Sequence, residues 1–94
     1  DVGCGNGASM FLLADKMQKC TGIEVFSTHQ TAFEEMKNQV NATNCEFVIF
    51  DIEQQVFPEQ FDRIICFEVI EHLADDRNVK ALYNMLKSGG KAAI

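Results

Sequence analysis

The chain has 94 residues, 47% hydrophobic and 23% charged, with a single proline, which fits one globular α/β-sized unit, a single domain over residues 1–94. A formal net charge of −6 argues against a broad phosphate-binding face, because affinity for nucleic acid rests on Lys and Arg, and it suits a cationic ligand. No apolar run approaches the ~20 residues that span a bilayer and nothing reads as a signal peptide, so a soluble, cytoplasmic protein is the expectation.

Asp1 and Val2 read as the end of a buried strand, followed by the glycine-rich loop of DVGCGNG. ASMFLLADKMQK then reads as a helix, with Met10, Leu13, Ala14 and Met17 at helical spacing. TGIEVF (Thr21 to Phe26) is a second strand, and Ser27 to Gln30 gives the S-x-x-Q pattern of a capping box. A second helix, with Phe33, Met36 and Val40 on one face, runs to about Asn41, and NATN breaks it. CEFVIF (Cys45 to Phe50) is a third strand ending at Asp51, and IEQQVFPEQ has no clean period and reads as a connection. FDRIICF (Phe61 to Phe67) is a fourth strand. DDRN (Asp75 to Asn78) starts a last helix with Val79, Leu82, Tyr83 and Leu86 on one face, ended by Gly89 and Gly90, and KAAI begins strand five.

Strands alternating with helices imply parallel pairing through right-handed crossovers. The opening in mid-strand, with Asp rather than Met, and the close on a strand just begun read as an excerpt cut at both edges. The four cysteines form no C-x-x-C pair and lie in or beside apolar runs, which predicts buried reduced thiols.

In open parallel sheets ligands sit beyond the carboxyl ends of the strands. That rule collects the Gly3 to Gly7 loop, Glu24, Asp51, and Cys66 to Glu68. A strand, a glycine loop and a helix form a cradle whose helical N–H groups favour a phosphate or carboxylate, where a plain tight turn is the blander alternative. Glu24 can accept hydrogen bonds from two ribose hydroxyls, and Asp51 from the exocyclic amine of a base flanked by Ile52 and Phe26. Their bland alternatives are an exposed strand-end acid and a turn-starting Asp. Gly3, Gly5 and Ala8 satisfy the looser dinucleotide pattern, so an NAD-dependent oxidoreductase stays open; Asp1, Gly3, Gly5 and Gly7 satisfy the acid-x-G-x-G-x-G of an S-adenosylmethionine site in full.

With VFPEQFDRIICFEVIEHLAD and LKSGGKAAI following in order and spacing, the whole chain resembles the core of a class I S-adenosylmethionine-dependent methyltransferase of the small-molecule type. The resemblance implies a Rossmann-like three-layer sandwich with parallel strands in the order 3-2-1-4-5, and S-adenosyl-L-methionine as cofactor. By it, Asp1, Gly3, Gly5 and Gly7 meet the methionine part, Glu24 the ribose, and Asp51 and Ile52 the adenine. Cys66 and Phe67 close the methionine side. The implied reaction is in-line displacement of a methyl group by a small-molecule acceptor, with His72 the candidate general base where the acceptor needs one.

Three alternatives stand beside this reading. EVIEHL also resembles the E-x-x-E-H stretch of small-RNA 2′-O-methyltransferases, in which Glu68, Glu71 and His72 would help hold a metal. The acidic charge disfavours that, His29 is badly placed as a further ligand, and no metal site is assigned. The fold could also bind the cofactor without catalysis, or serve an oxidoreductase. The acceptor and the oligomeric state are not legible.

Overall fold

The computed structural model describes residues 1–94. Four strands and three helices follow one another as α1 (Ala8–Leu13), β1 (Cys20–Glu24), α2 (Gln30–Gln39), β2 (Cys45–Ile49), β3 (Phe61–Ile65), α3 (Arg77–Asn84) and β4 (Leu86–Ala93). Strand β1 pairs in parallel with β2, with Cys20 opposite Cys45 and Glu24 opposite Ile49. Strand β3 pairs in parallel with β4. Both pairings demand crossovers, which α2 and α3 supply.

The two pairs are two-stranded parallel sheets, β1 with β2 and β3 with β4. Where the first strand is expected, Val2 makes a single parallel bridge with Ile23. This short segment nevertheless bonds to both sides. Ile23 N–H donates to the Asp1 carbonyl (2.8 Å), Gly3 N–H to the Ile23 carbonyl (2.8 Å) and Val2 N–H to the Ile65 carbonyl (2.9 Å).

All five residues of β1 are buried, as expected for a strand covered on both faces. One core cluster joins Val2, Ile23, Ile64, Cys66, Leu82 and Met85, so α3 packs against β1 and β3. The other joins Met10, Ala14, Cys20, Phe33, Ala42 and Cys45, which seats α1 and α2 on β1 and β2. Cys20 and Ile23 serve different clusters because residues an odd number apart face opposite sides of a strand. The fold is Rossmann-like.

Several boundaries move. The first helix keeps its α geometry only to Leu13 and tightens into a 3₁₀ turn over Ala14–Lys16, leaving Met17 partly exposed. No capping box forms. Ser27–His29 is itself a 3₁₀ turn, and no side chain caps it or α2. The last helix stops at Asn84, and Leu86 belongs to β4 rather than to the helix face. Pairing decides this: Phe61 N–H donates to the Met85 carbonyl (2.7 Å), and Leu86 lies opposite Phe61. Arg63 pairs with Lys91, so the intervening residues bulge out of β4, with Gly89 at φ +76°. KAAI is therefore the second half of a strand already under way.

Candidate functional site

A cavity of about 510 Å³ opens beyond the carboxyl ends of β1, β2 and β3. Its walls include Gly3 and Gly5 from the loop, Glu24, Val25, Phe26 and His29 after β1, and Phe50 to Glu53 after β2; Glu68, Val69, His72 and Leu73 follow β3. Of the expected site residues, Gly3, Gly5, Glu24, Asp51, Ile52 and His72 come together here. Asp1, Gly7, Cys66 and Phe67 do not line it. Asp1 faces a smaller apolar cavity of about 80 Å³ with Met10, Leu13 and Met85. Cys66 is buried in the core, its N–H bonded to the Ala93 carbonyl, and Phe67 is half exposed.

The alternate glycines have different causes. Gly3 sits at φ +74°, and a Cβ there would collide with the side chain of Val69, so the close approach comes from the protein itself. Gly7, the N-cap of α1 in the left-handed region, faces Phe33 and Phe11 instead; a Cβ would lie 2.7 Å from one ring and 2.8 Å from the other. At Gly5 (φ +52°) nothing lies within 4 Å of the Cβ position, so this glycine presents bare backbone to open space on the cavity wall. At the N-terminal end of α1 the Ala8 N–H is bonded to Asn6 Oδ1 (3.2 Å).

Glu24 is buried at the end of β1. Its Oε2 accepts from Gly5 N–H (3.0 Å) and its Oε1 from the N–H groups of Val25 (2.9 Å) and Phe26 (3.1 Å). The acid thus fastens the glycine loop to the strand end, which makes its burial affordable in hydrogen-bonding terms. Asp51 starts a turn, as its blander reading expects: Oδ1 accepts from Glu53 N–H (2.8 Å), and Gln54 and Gln55 N–H groups donate to its carbonyl. Asp51 also lies on the cavity wall. Phe26, well exposed, and Ile52 line the same space.

His72 ends the 3₁₀ turn Ile70–His72, and its N–H bonds to the Val69 carbonyl (2.9 Å). His29, dismissed from the sequence as badly placed, lines the same cavity as His72, because the 3₁₀ turn brings it back over the end of β1. Glu68, Glu71 and His72 do not gather into a metal-holding group. Glu68 takes a left-handed backbone conformation (φ 55°) on the cavity wall, a strained state for a residue with a side chain. Sequence reasoning missed Val25, Glu53, Val69 and Leu73, whose membership depends on loop paths that no periodicity encodes.

Parallel strands, a glycine loop and a nucleoside-sized cavity over the strand ends define a Rossmann-like ligand-binding domain. The family model described as "Methyltransferase domain" matches residues 1–94, and the chain belongs to that family. Its fold is that of the class I S-adenosylmethionine-dependent methyltransferases. It is 31% identical, over 97% of its length, to a ubiquinone biosynthesis O-methyltransferase of Pseudomonas fluorescens, and 32% identical, over the same share, to its counterpart in Pseudomonas putida. The chain spans 40% of the length of these relatives. Among solved structures it superimposes on coclaurine N-methyltransferase bound to N-methylheliamine and SAH (TM-score 0.89, 25% identity, 98% of this chain and 28% of that one). An S-adenosylmethionine-dependent methyltransferase from Clostridium acetobutylicum shares the fold (TM-score 0.84, 22% identity, 98% and 39%).

Proposed function

We propose that the protein carrying this domain transfers the methyl group of S-adenosylmethionine to a small-molecule acceptor. The observation that carries the reading is the charge of the cavity: Glu24, Asp51, Glu53 and Glu68 line it, with two histidines and no Lys or Arg. Four carboxylates repel a pyrophosphate and favour a ligand with a nucleoside at one end and positive charge at the other. The cofactor, when bound, supplies a methyl group on positively charged sulfur, open to in-line displacement.

In this reading Glu24 holds the ribose hydroxyls, and Asp51 Oδ2 accepts from the adenine amine between Phe26 and Ile52. Gly5, with Gly3 beside it on the cavity wall, admits the methionine part; Asp1, Gly7, Cys66 and Phe67, which lie outside the cavity, have no contact with the cofactor in this reading. His72, on the wall, takes the proton from an acceptor hydroxyl where one must leave. The larger share of the chemistry is alignment and exclusion of water, for which positioning supplies up to ~7–11 kcal/mol in well-oriented systems. The small-molecule acceptor follows the ubiquinone-pathway relatives. We also take the Asp1–Val2 segment as the end of a central strand, giving the order 3-2-1-4-5, supported by its bonds to both Ile23 and Ile65. No helix is long and apolar enough to cross a membrane, and four free buried thiols suit a reducing compartment such as the cytoplasm.

Thermal unfolding of the full-length protein with S-adenosylhomocysteine or with NAD tests the cofactor. A rise in Tm with the first alone is expected. Labelled cofactor offered with metabolite extract and with RNA separately tests the acceptor, and label in RNA would overturn the small-molecule assignment.

A further inference from the structure

The wall that carries Asp51 and Ile52 belongs to the connection between β2 and β3, where no helix or strand holds the chain. Across from it, the segment between β3 and α3 carries Val69, His72 and Leu73. Glu53 joins the two. Its Oε1 accepts from the Ala74 N–H (2.8 Å) and from Asn78 Nδ2 (3.1 Å). Asn78 is buried, with 5% of its surface exposed, and the same amide nitrogen donates to the Asp75 carbonyl (3.0 Å). Both protons of that amide are thereby used.

We infer that Glu53 is a positioning residue, with Asn78 as its partner: it clamps the adenine-side wall to the wall bearing His72 and so sets the width of the nucleoside pocket. The inference rests on the reading of this cavity as the cofactor site. An exposed acid making a hydrogen bond is ordinarily worth little, but this one answers a buried amide, and removing it leaves a desolvated N–H without an acceptor. The turn at Asp51 fixes Glu53 as well: Glu53 N–H bonds to Asp51 Oδ1 (2.8 Å). The residue placed on the adenine and the residue clamping its wall are therefore coupled through one short turn. Loosening the clamp lets the wall sample positions that do not close on a nucleoside, and the observed affinity falls by the fraction of molecules still closed.

The test is calorimetric titration of S-adenosylhomocysteine into the full-length protein and its Glu53→Ala, Glu53→Gln, Asn78→Ala and doubly alanine-substituted forms. Glu53→Ala is expected to raise Kd about tenfold, the result for a wall closed in roughly one molecule in ten. Glu53→Gln keeps an acceptor oxygen for both donors and should stay within about threefold of wild type. Asn78→Ala should weaken binding too, and the double substitution no further than Glu53→Ala, since Glu53→Ala already removes the contact to Asn78 along with that to Ala74. In turnover, Glu53→Ala should raise KM for S-adenosylmethionine with kcat within about twofold, a split that general destabilisation would not produce. Glu53→Ala binding as tightly as wild type, or Glu53→Gln as weakly as Glu53→Ala, overturns the clamp. If Glu53→Ala does not melt cooperatively, wild-type affinity in Asn78→Ala overturns it instead. Wild-type protein that ignores S-adenosylhomocysteine overturns the cofactor reading itself, a result distinct from all of these.

Discussion

Gly3, Gly5 and Gly7 look equivalent in the sequence, yet only Gly5 has open space where a side chain would go. This difference predicts opposite phenotypes. Gly3→Ala meets Val69 as well as the left-handed backbone and should cost more than the ~1–2 kcal/mol of the backbone alone, lowering Tm sharply. Gly5→Ala bears only the backbone cost, should melt cooperatively, and should lose S-adenosylhomocysteine affinity because it adds a methyl to a residue of the cavity wall; calorimetry beside a melting curve separates the two. The alternating pattern revealed a loop that needs glycine, but which glycine faces ligand depends on Val69, Phe33 and Phe11, far along the chain. Glu24 was legible as a strand-end acid, whereas its three backbone donors were not, since they depend on how the loop folds back. Those donors sharpen its prediction. Glu24→Ala should weaken S-adenosylhomocysteine binding by about 1.5–3 kcal/mol, the range for hydrogen bonds to a charged group, and should also lower the Tm of the ligand-free protein. Unchanged affinity by calorimetry would remove Glu24 from the ribose.

At the scale of elements, the helices and strands whose period is unambiguous were legible, and the junctions were not. Leu86 satisfies helical spacing with Leu82 and Tyr83 and also begins β4; the backbone bond from Phe61 to Met85 settles the matter, and a single sequence does not contain it. The Asp51–Gln60 connection was legible only as irregular, because its order comes from bonds such as those of Glu53 rather than from any period. The cysteines show the converse, for their apolar surroundings announced burial and all four are buried and unpaired as thiols. Burial pushes the Cys4 thiol up to about 11, and burial together with the neighbouring Cys20 across the β1–β2 pair pushes Cys45 up to about 11. Their ordinary value is 9.0, so above it the unfolded chain releases protons that the folded chain keeps. Stability present below pH 9.0 should therefore be lost as pH rises toward about 11. Denaturant melts across that interval should show the decline, and Cys45→Ala should make it shallower. A flat profile in wild type would mean that these thiols titrate alike folded and unfolded.

Across the whole molecule, charge is unevenly shared between the site and the rest of the surface. The net −6 includes eight Lys and Arg, none of which lines the cavity. Several are occupied elsewhere: Lys19 lies 2.8 Å from Glu46, Lys87 3.4 Å from Asp62, and Arg77 is paired with Asp75. The four carboxylates around the cavity consequently act on a ligand without a compensating cation beside them. S-adenosylmethionine carries one positive charge more than S-adenosylhomocysteine, at the sulfur, so on the proposed reading of this cavity its field should favour the first over the second where their shapes hardly differ. Salt weakens such a preference because the screening length contracts from about 30 Å at 0.01 M to about 8 Å at 0.15 M. Raising sodium chloride from about 0.01 to about 0.3 M should weaken S-adenosylmethionine binding several-fold and S-adenosylhomocysteine binding less than about twofold. Paired titrations at the two salt concentrations measure this directly. Equal loss for both ligands would mean that the carboxylates act only through local hydrogen bonds, and a larger loss for S-adenosylhomocysteine would contradict the electrostatic account of the cavity.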